Sequence, residues 1–95
     1  MISREPAPLL QGLLGQVVVI DLRSSYVCLG TLAGCDELFL ELRDADLHDF
    51  RDSTATREIY VYDSARLGVR RNRERVLIRQ EEIVAVTPLA AIAES

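Results

Sequence analysis

Apolar and polar positions along the chain fall into blocks of different period. Leu9 to Leu14, LLQGLL, lies between Pro8 and Gly15, a first-turn proline and a C-terminal stop that frame a short amphipathic helix. The pattern then changes. Gln16 to Leu22, QVVVIDL, is β-branched and continuously apolar, which predicts a buried strand. Arg23-Ser24-Ser25 reads as a turn, and Tyr26 to Ala33 as a second strand in which Gly30 marks a bend or bulge. Gly34 to Glu37 makes the next turn. Leu38, Leu40 and Leu42 alternate with Phe39, Glu41 and Arg43, a third strand with one leucine face. Near the end, Val76 to Ile78 and Ile83 to Val86 form two short strands that meet at Arg79 to Glu82. Pro88 stops the last strand, and Leu89 to Ala93 make a final apolar turn.

The stretch Asp44 to Arg75 is too long for a bare loop in so small a domain. Ser53 or Thr54 is a candidate cap for a helix through REIYVYDSARL, with Gly68 as its stop and Arg66 in its last turn. Ile59, Tyr60, Val61 and Tyr62 are strand formers and argue for a hairpin instead. The start and stop signals favour the helix.

With 95 residues the expectation is one domain, marginally stable alone and helped by association with copies of itself. Trp is absent and aromatics are 5%, so Leu, Val and Ile must build the core. The net charge is −4, which speaks against broad non-specific nucleic-acid binding. The charge is unevenly spread. All eleven basic residues are arginines, and six lie between Arg66 and Arg79 with only Glu74 opposing them. Asp36 to Asp52 holds seven acids against Arg43 and Arg51. Such runs either bind a charged partner or pair with each other. Cys28 and Cys35 lack C-x-x-C spacing and read as reduced core thiols. No apolar run approaches the ~18 residues of a membrane span, so the expectation is a soluble, cytoplasmic protein.

The order of elements, with two short blocks, resembles the Sm-like (LSm) family of small, strongly bent five-stranded antiparallel barrels, here a divergent bacterial-type member. The first block is LLGQVVVIDLRSSYVCLGTLAGCDELFLEL, with Gly30 central and the Gly34…Asp36 turn before an apolar strand. The second is Ile78-Arg79-Gln80-Glu81-Glu82-Ile83, similar to the family's Ile-Arg-Gly-x-x-Ile. The resemblance implies a single Sm-like domain over residues 7–90, mostly β with a short N-terminal helix. Residues 44–75 are then an inserted excursion between strands three and four.

It further implies a homo-oligomeric ring of about five to eight copies, which removes unpaired edges. The fourth strand of one copy pairs with the fifth of the next, with Val76, Ile78, Val84 and Val86 at the seam. It implies single-stranded RNA near the pore, at Asp36, Phe39, Arg79 and Gln80. Arg79 and Asp36 match the family's arginine and turn aspartate. The turn is one residue short, so the usual aromatic stacker has no place. Phe39 stands where asparagine is expected, and Gln80 replaces a glycine whose missing Cβ admits close backbone approach. A structural or protein-interaction ring without RNA binding is the competing expectation.

Other chemistry is weakly supported. His48, the single histidine, has Asp44, Asp46, Asp49 and Asp52 nearby but no second His or Cys pair; a solvated or interface residue is the plainer reading. Ser24, Ser25 and Ser53 lack the context of a nucleophile, and there is no phosphate-cradling glycine loop. Tyr60 and Tyr62 read as core or interface residues. The expectation is a protein that is not an enzyme, with no metal, no cofactor, no small-molecule substrate and no membrane partner.

Overall fold

A computed structural model describes residues 8–52 and 56–92. A short helix, α1 (Pro8–Gln11), leads into β1 (Val17–Leu22), β2 (Tyr26–Cys35) and β3 (Phe39–Asp49). A 3-10 turn (Phe50–Asp52) follows, then α2 (Arg57–Leu67), β4 (Arg73–Arg79), a second 3-10 turn (Gln80–Glu82), β5 (Ile83–Pro88) and a last 3-10 turn (Leu89–Ala91). All strand pairs are antiparallel, in the spatial order β4-β3-β2-β1-β5.

That order has a consequence. β4 and β5 are joined by three residues, yet they occupy opposite ends of the sheet. A flat sheet cannot place its two edges three residues apart. The sheet therefore curls on itself, and each edge strand keeps one side without a partner among the described residues.

The curl is built from bulges. The β2–β3 register shifts between Leu29 and Thr31 and again between Leu32 and Gly34. At the first shift Asp44 takes φ 49°, in the left-handed region, and adds one residue to β3. The inserted residue exchanges the two faces of β3. Before it, Leu40 and Leu42 point into the barrel; after it, Ala45 and Leu47 do, while Phe50 joins the opposite face. The third strand thus runs on to Asp49, six residues beyond its predicted end at Arg43. Leu38, expected on its leucine face, lies in the preceding turn and is exposed. β2 and β4 also begin or end beyond their predicted limits, at Cys35 and Arg73.

Gly30 sits opposite this bulge. A Cβ there would lie 2.8 Å from Ala45 Cβ and 3.1 Å from the Arg43 carbonyl oxygen. The backbones approach too closely for any side chain.

Both faces of β1 and β2 are covered, which explains the unbroken apolar run in β1. Inside the barrel, Val18, Ile20, Cys28, Leu32, Leu40, Leu42, Ala45 and Ile78 pack together, with Leu10 and Leu13 from the α1 region against them. Outside, Val19, Val27 and Leu29 are covered by Val61 of α2, with Leu89 and Ile92 beside it. Cys28 and Cys35 are free thiols, buried and half-buried respectively.

The excursion is helical, as its end signals predicted. The cap is Thr56, whose side-chain oxygen accepts from the Ile59 N–H. The two predicted caps, Ser53 and Thr54, lie outside the described residues. Gly68, at φ 96°, ends the helix and its N–H closes on the Ser64 carbonyl. Strand propensity at Ile59 to Tyr62 loses to this cap and to burial of Val61. Among the described residues no helix is long and apolar enough to cross a membrane.

Candidate nucleic-acid interface

The four residues singled out near the predicted pore converge at one end of the barrel. Asp36 ends the β2 side of the turn, and its Oδ1 accepts from the N–H groups of Leu38 (2.8 Å) and Phe39 (2.7 Å). Those two donors hold its carboxyl below the ordinary value, the Phe39 N–H most strongly. A deprotonated Asp36 thus fixes the turn as a hydrogen-bond acceptor. Phe39 opens β3 and pairs directly with Arg79, the last residue of β4.

Gln80 ties the two turns together. Its backbone N–H donates to the Leu38 carbonyl at 2.8 Å, and its side-chain amide donates to the Asp36 carbonyl. Where the resembling motif has a glycine, this chain has a clamp between turns 44 residues apart in sequence. Gln80 therefore does more than fill space: it fixes the height of Arg79 against Phe39. No local sequence pattern signals this bond.

Phe39, Arg79 and Gln80, with Glu37, Leu38 and Glu81, line a shallow cavity of about 170 Å³. Phe39 also borders a second hollow of about 320 Å³ with Asp36, Glu41 and Arg75. A half-buried ring between two hollows offers an edge or face for stacking. Arg79 is 65% exposed and pairs with Glu81 at 3.0 Å. Such an exposed pair is weak and exchangeable, so a ligand anion or base edge can compete for the guanidinium. The two turns are acidic: they carry Asp36, Glu37, Glu81 and Glu82 against one arginine.

Of the residues expected at a seam, Val76, Ile78 and Val86 pack towards the barrel core. Val84 is 67% exposed and is passed over in the β1–β5 register. Leu77 on β4 is also exposed. The two open edges thus each carry an apolar residue in solvent.

A second polar cluster was not legible beforehand. His48, read as solvated or at an interface, is stacked on Tyr60 at 4.4 Å and meets Phe50 edge-on at 4.7 Å. Asp46, buried in spite of its charge, accepts from the Tyr60 hydroxyl and from Asn72 Nδ2. Among the described residues no group of three or more His, Cys, Asp or Glu side chains is placed to hold a metal ion.

No family model matches the chain, and no curated protein matches it. Its fold matches solved structures over most of its length. An Sm protein of Pyrococcus abyssii, determined in complex with a uridine heptamer, is 21% identical, with TM-score 0.60 over 88% of this chain and 97% of that one. An Sm-like protein of Archaeoglobus fulgidus is 16% identical, with TM-score 0.59 over 93% and 96%. The P. aerophilum SmAP1 heptamer gives 21% identity and TM-score 0.53 over 84% and 86%. The chain has the Sm-like fold.

Proposed function

We propose that this chain assembles into a non-enzymatic Sm-like ring and binds single-stranded RNA at its β2–β3 and β4–β5 turns. The observation that carries the reading is the convergence of Asp36, Phe39, Arg79 and Gln80 on one end of the barrel, held in register by the Gln80 clamp. Phe39 supplies an apolar face for a base, and Arg79 a planar donor for a base edge or phosphate. Two similar folds are described as heptamers, and one is bound to a uridine oligomer. The open β4 and β5 edges supply the seam, with Val84 and Leu77 losing solvent when the edges pair.

One observation favours a second reading, a structural ring without RNA. Arg79 already has Glu81 as a partner, and the two turns carry four acids in all. These acids repel a polyanion, so binding should be weak and favour base contacts over phosphate contacts.

Two measurements decide. Labelled oligo-U and oligo-A are titrated into the purified protein at low and physiological salt. Arg79→Ala is expected to weaken binding roughly tenfold, the scale of one charge-assisted hydrogen bond. Unchanged affinity, or none in the wild type at low salt, leaves the structural ring. Sedimentation tests assembly. The wild type should run at several times its 10.6 kDa chain mass, and Val84→Asp should shift it towards monomer. A wild-type monomer at micromolar concentration overturns the ring.

A further inference from the structure

The charge on this subunit is polarised along β4. At one end the two turns carry Asp36, Glu37, Glu81 and Glu82 against Arg79. At the other end, where α2 leads into β4, Arg66, Arg70, Arg71 and Arg73 are all exposed. None of these four makes an ion pair among the described residues, whereas Arg43, Arg51, Arg57, Arg75 and Arg79 each do.

The basic end is also a built cavity. A recess of about 520 Å³ lies between α2 and the segment leading into β4. Arg70 and Arg71 stand at it, together with His48, Tyr60, Asp63 and Ser64. That volume falls within the range of small-molecule sites. The arginine run is held in place by Asn72. Its backbone N–H donates to the Ala45 carbonyl at 2.9 Å, and its side chain accepts from the Leu47 N–H at 3.0 Å. The same side chain donates to Asp46 Oδ1 at 2.8 Å and to the Leu47 carbonyl at 3.1 Å. An extended segment without its own ladder is thereby locked to β3, and its arginines project from fixed backbone.

We propose that this recess is a second ligand site, for the phosphate of a nucleotide. Arg70 and Arg71 take the phosphate oxygens, a task that suits planar guanidinium groups. The Asp63 carboxylate and the Ser64 hydroxyl accept from the hydroxyls of the sugar. The opposing charges are Asp63 and the buried Asp46. Asp46 is already satisfied by Tyr60 and Asn72, so Asp63 alone opposes the two arginines that line the recess and the balance stays positive. The phosphate belongs either to a free mononucleotide or to the backbone of a single-stranded RNA. This inference does not rest on the turn site, because α2 and the β4 approach build it.

The test uses the full chain in three forms: wild type, the double variant Arg70→Gln/Arg71→Gln, and Arg79→Ala. The probes are a ribonucleoside 5′-monophosphate, a labelled oligo-U and polyglutamate, each titrated across a salt series. The double variant should bind a phosphate probe roughly tenfold or more weakly. Its logarithmic salt slope for oligo-U should fall by about 0.7 for each phosphate that is no longer neutralised. Arg79→Ala should weaken oligo-U but leave binding of the monophosphate unchanged, which separates this site from the turns. Competition by the monophosphate assigns a free nucleotide; binding of oligo-U alone assigns the RNA backbone. No binding of either phosphate probe at low salt, or equal binding by the double variant, overturns the site. Polyglutamate bound as tightly as oligo-U, with the same dependence on the two arginines, overturns its assignment to phosphate.

Discussion

Gly30→Val is expected to cost about 3 kcal/mol or more, a large share of a total stability of about 5–15 kcal/mol. The Cβ alone would meet Ala45 Cβ at 2.8 Å and the Arg43 carbonyl oxygen at 3.1 Å. Both neighbours belong to the bulged part of β3, where Asp44 holds φ 49°. Relief would require β3 to move away from β2, and that movement would undo the curl that lets β4 and β5 stand three residues apart. Gly30→Ala adds the Cβ without the methyls and is expected to cost about 1–3 kcal/mol. Pairing it with Ala45→Gly removes the shortest of the three close contacts and leaves those to Ala45 Cα and the Arg43 carbonyl oxygen, so it should recover part of that loss, a coupling that a double-mutant cycle reads directly. Urea midpoints of the wild type and these variants check the series. A wild-type midpoint for Gly30→Val would mean that the close approach is not a constraint.

The same bulge marks where the chain could be read from its sequence and where it could not. β1, the core of β2 and the short strands around Arg79 follow from apolar runs and their stops, because a buried strand needs little beyond β-branched side chains and an end signal. The helix over Arg57–Leu67 follows from Gly68 and a hydroxyl near its start. β3 is different. Its alternation holds from Leu40 to Arg43 and then changes face at Asp44, so a period-2 reading ends there although the strand continues to Asp49. One left-handed residue hides six residues of strand.

The candidate site divides in the same way. Asp36 and Arg79 lie in motif-like positions, and the β3–β4 pairing sets Phe39 opposite Arg79. The Gln80 amide on the Asp36 carbonyl leaves no local pattern, since its two ends are 44 residues apart. Asp46, Tyr60 and Asn72 come from an acidic run, an apolar run and an arginine run. Each belongs to a segment whose bulk property pointed elsewhere, and only the fold makes them neighbours.

That cluster gives the second large effect. Asn72→Ala is expected to destabilise the protein by about 2–3 kcal/mol, the scale of leaving a buried charged acceptor short of a donor. The change removes the Nδ2 donor to Asp46 and both side-chain bonds to the Leu47 backbone at once. Asp46 is only 5% exposed, so it depends on Asn72 and Tyr60 for its donors. Chemical denaturation checks the size, and a change under about 0.5 kcal/mol, the level of an ordinary surface substitution, would rule out the bridge as a stabilising element.

Alkaline pH offers an independent reading of the same cluster. The Tyr60 phenol is raised well above its ordinary value, first by burial and then by its bond to Asp46. Cys28 is pushed up to about 12 from 9.0, chiefly by burial. Both groups keep their protons in the folded chain at a pH where the unfolded chain releases them. Their contribution is complete below the unfolded values, about 8.5 for Cys and 10 for Tyr, and is lost as pH rises towards the folded ones. Stability should therefore fall from about pH 9 upwards. Tyr60→Phe removes one of the two protons. It should lower stability at neutral pH, because Asp46 is deprived of the phenol donor, yet flatten the decline above about pH 10. If the slopes of Tyr60→Phe and wild type coincide there, neither burial nor Asp46 holds the phenol's proton in the folded chain.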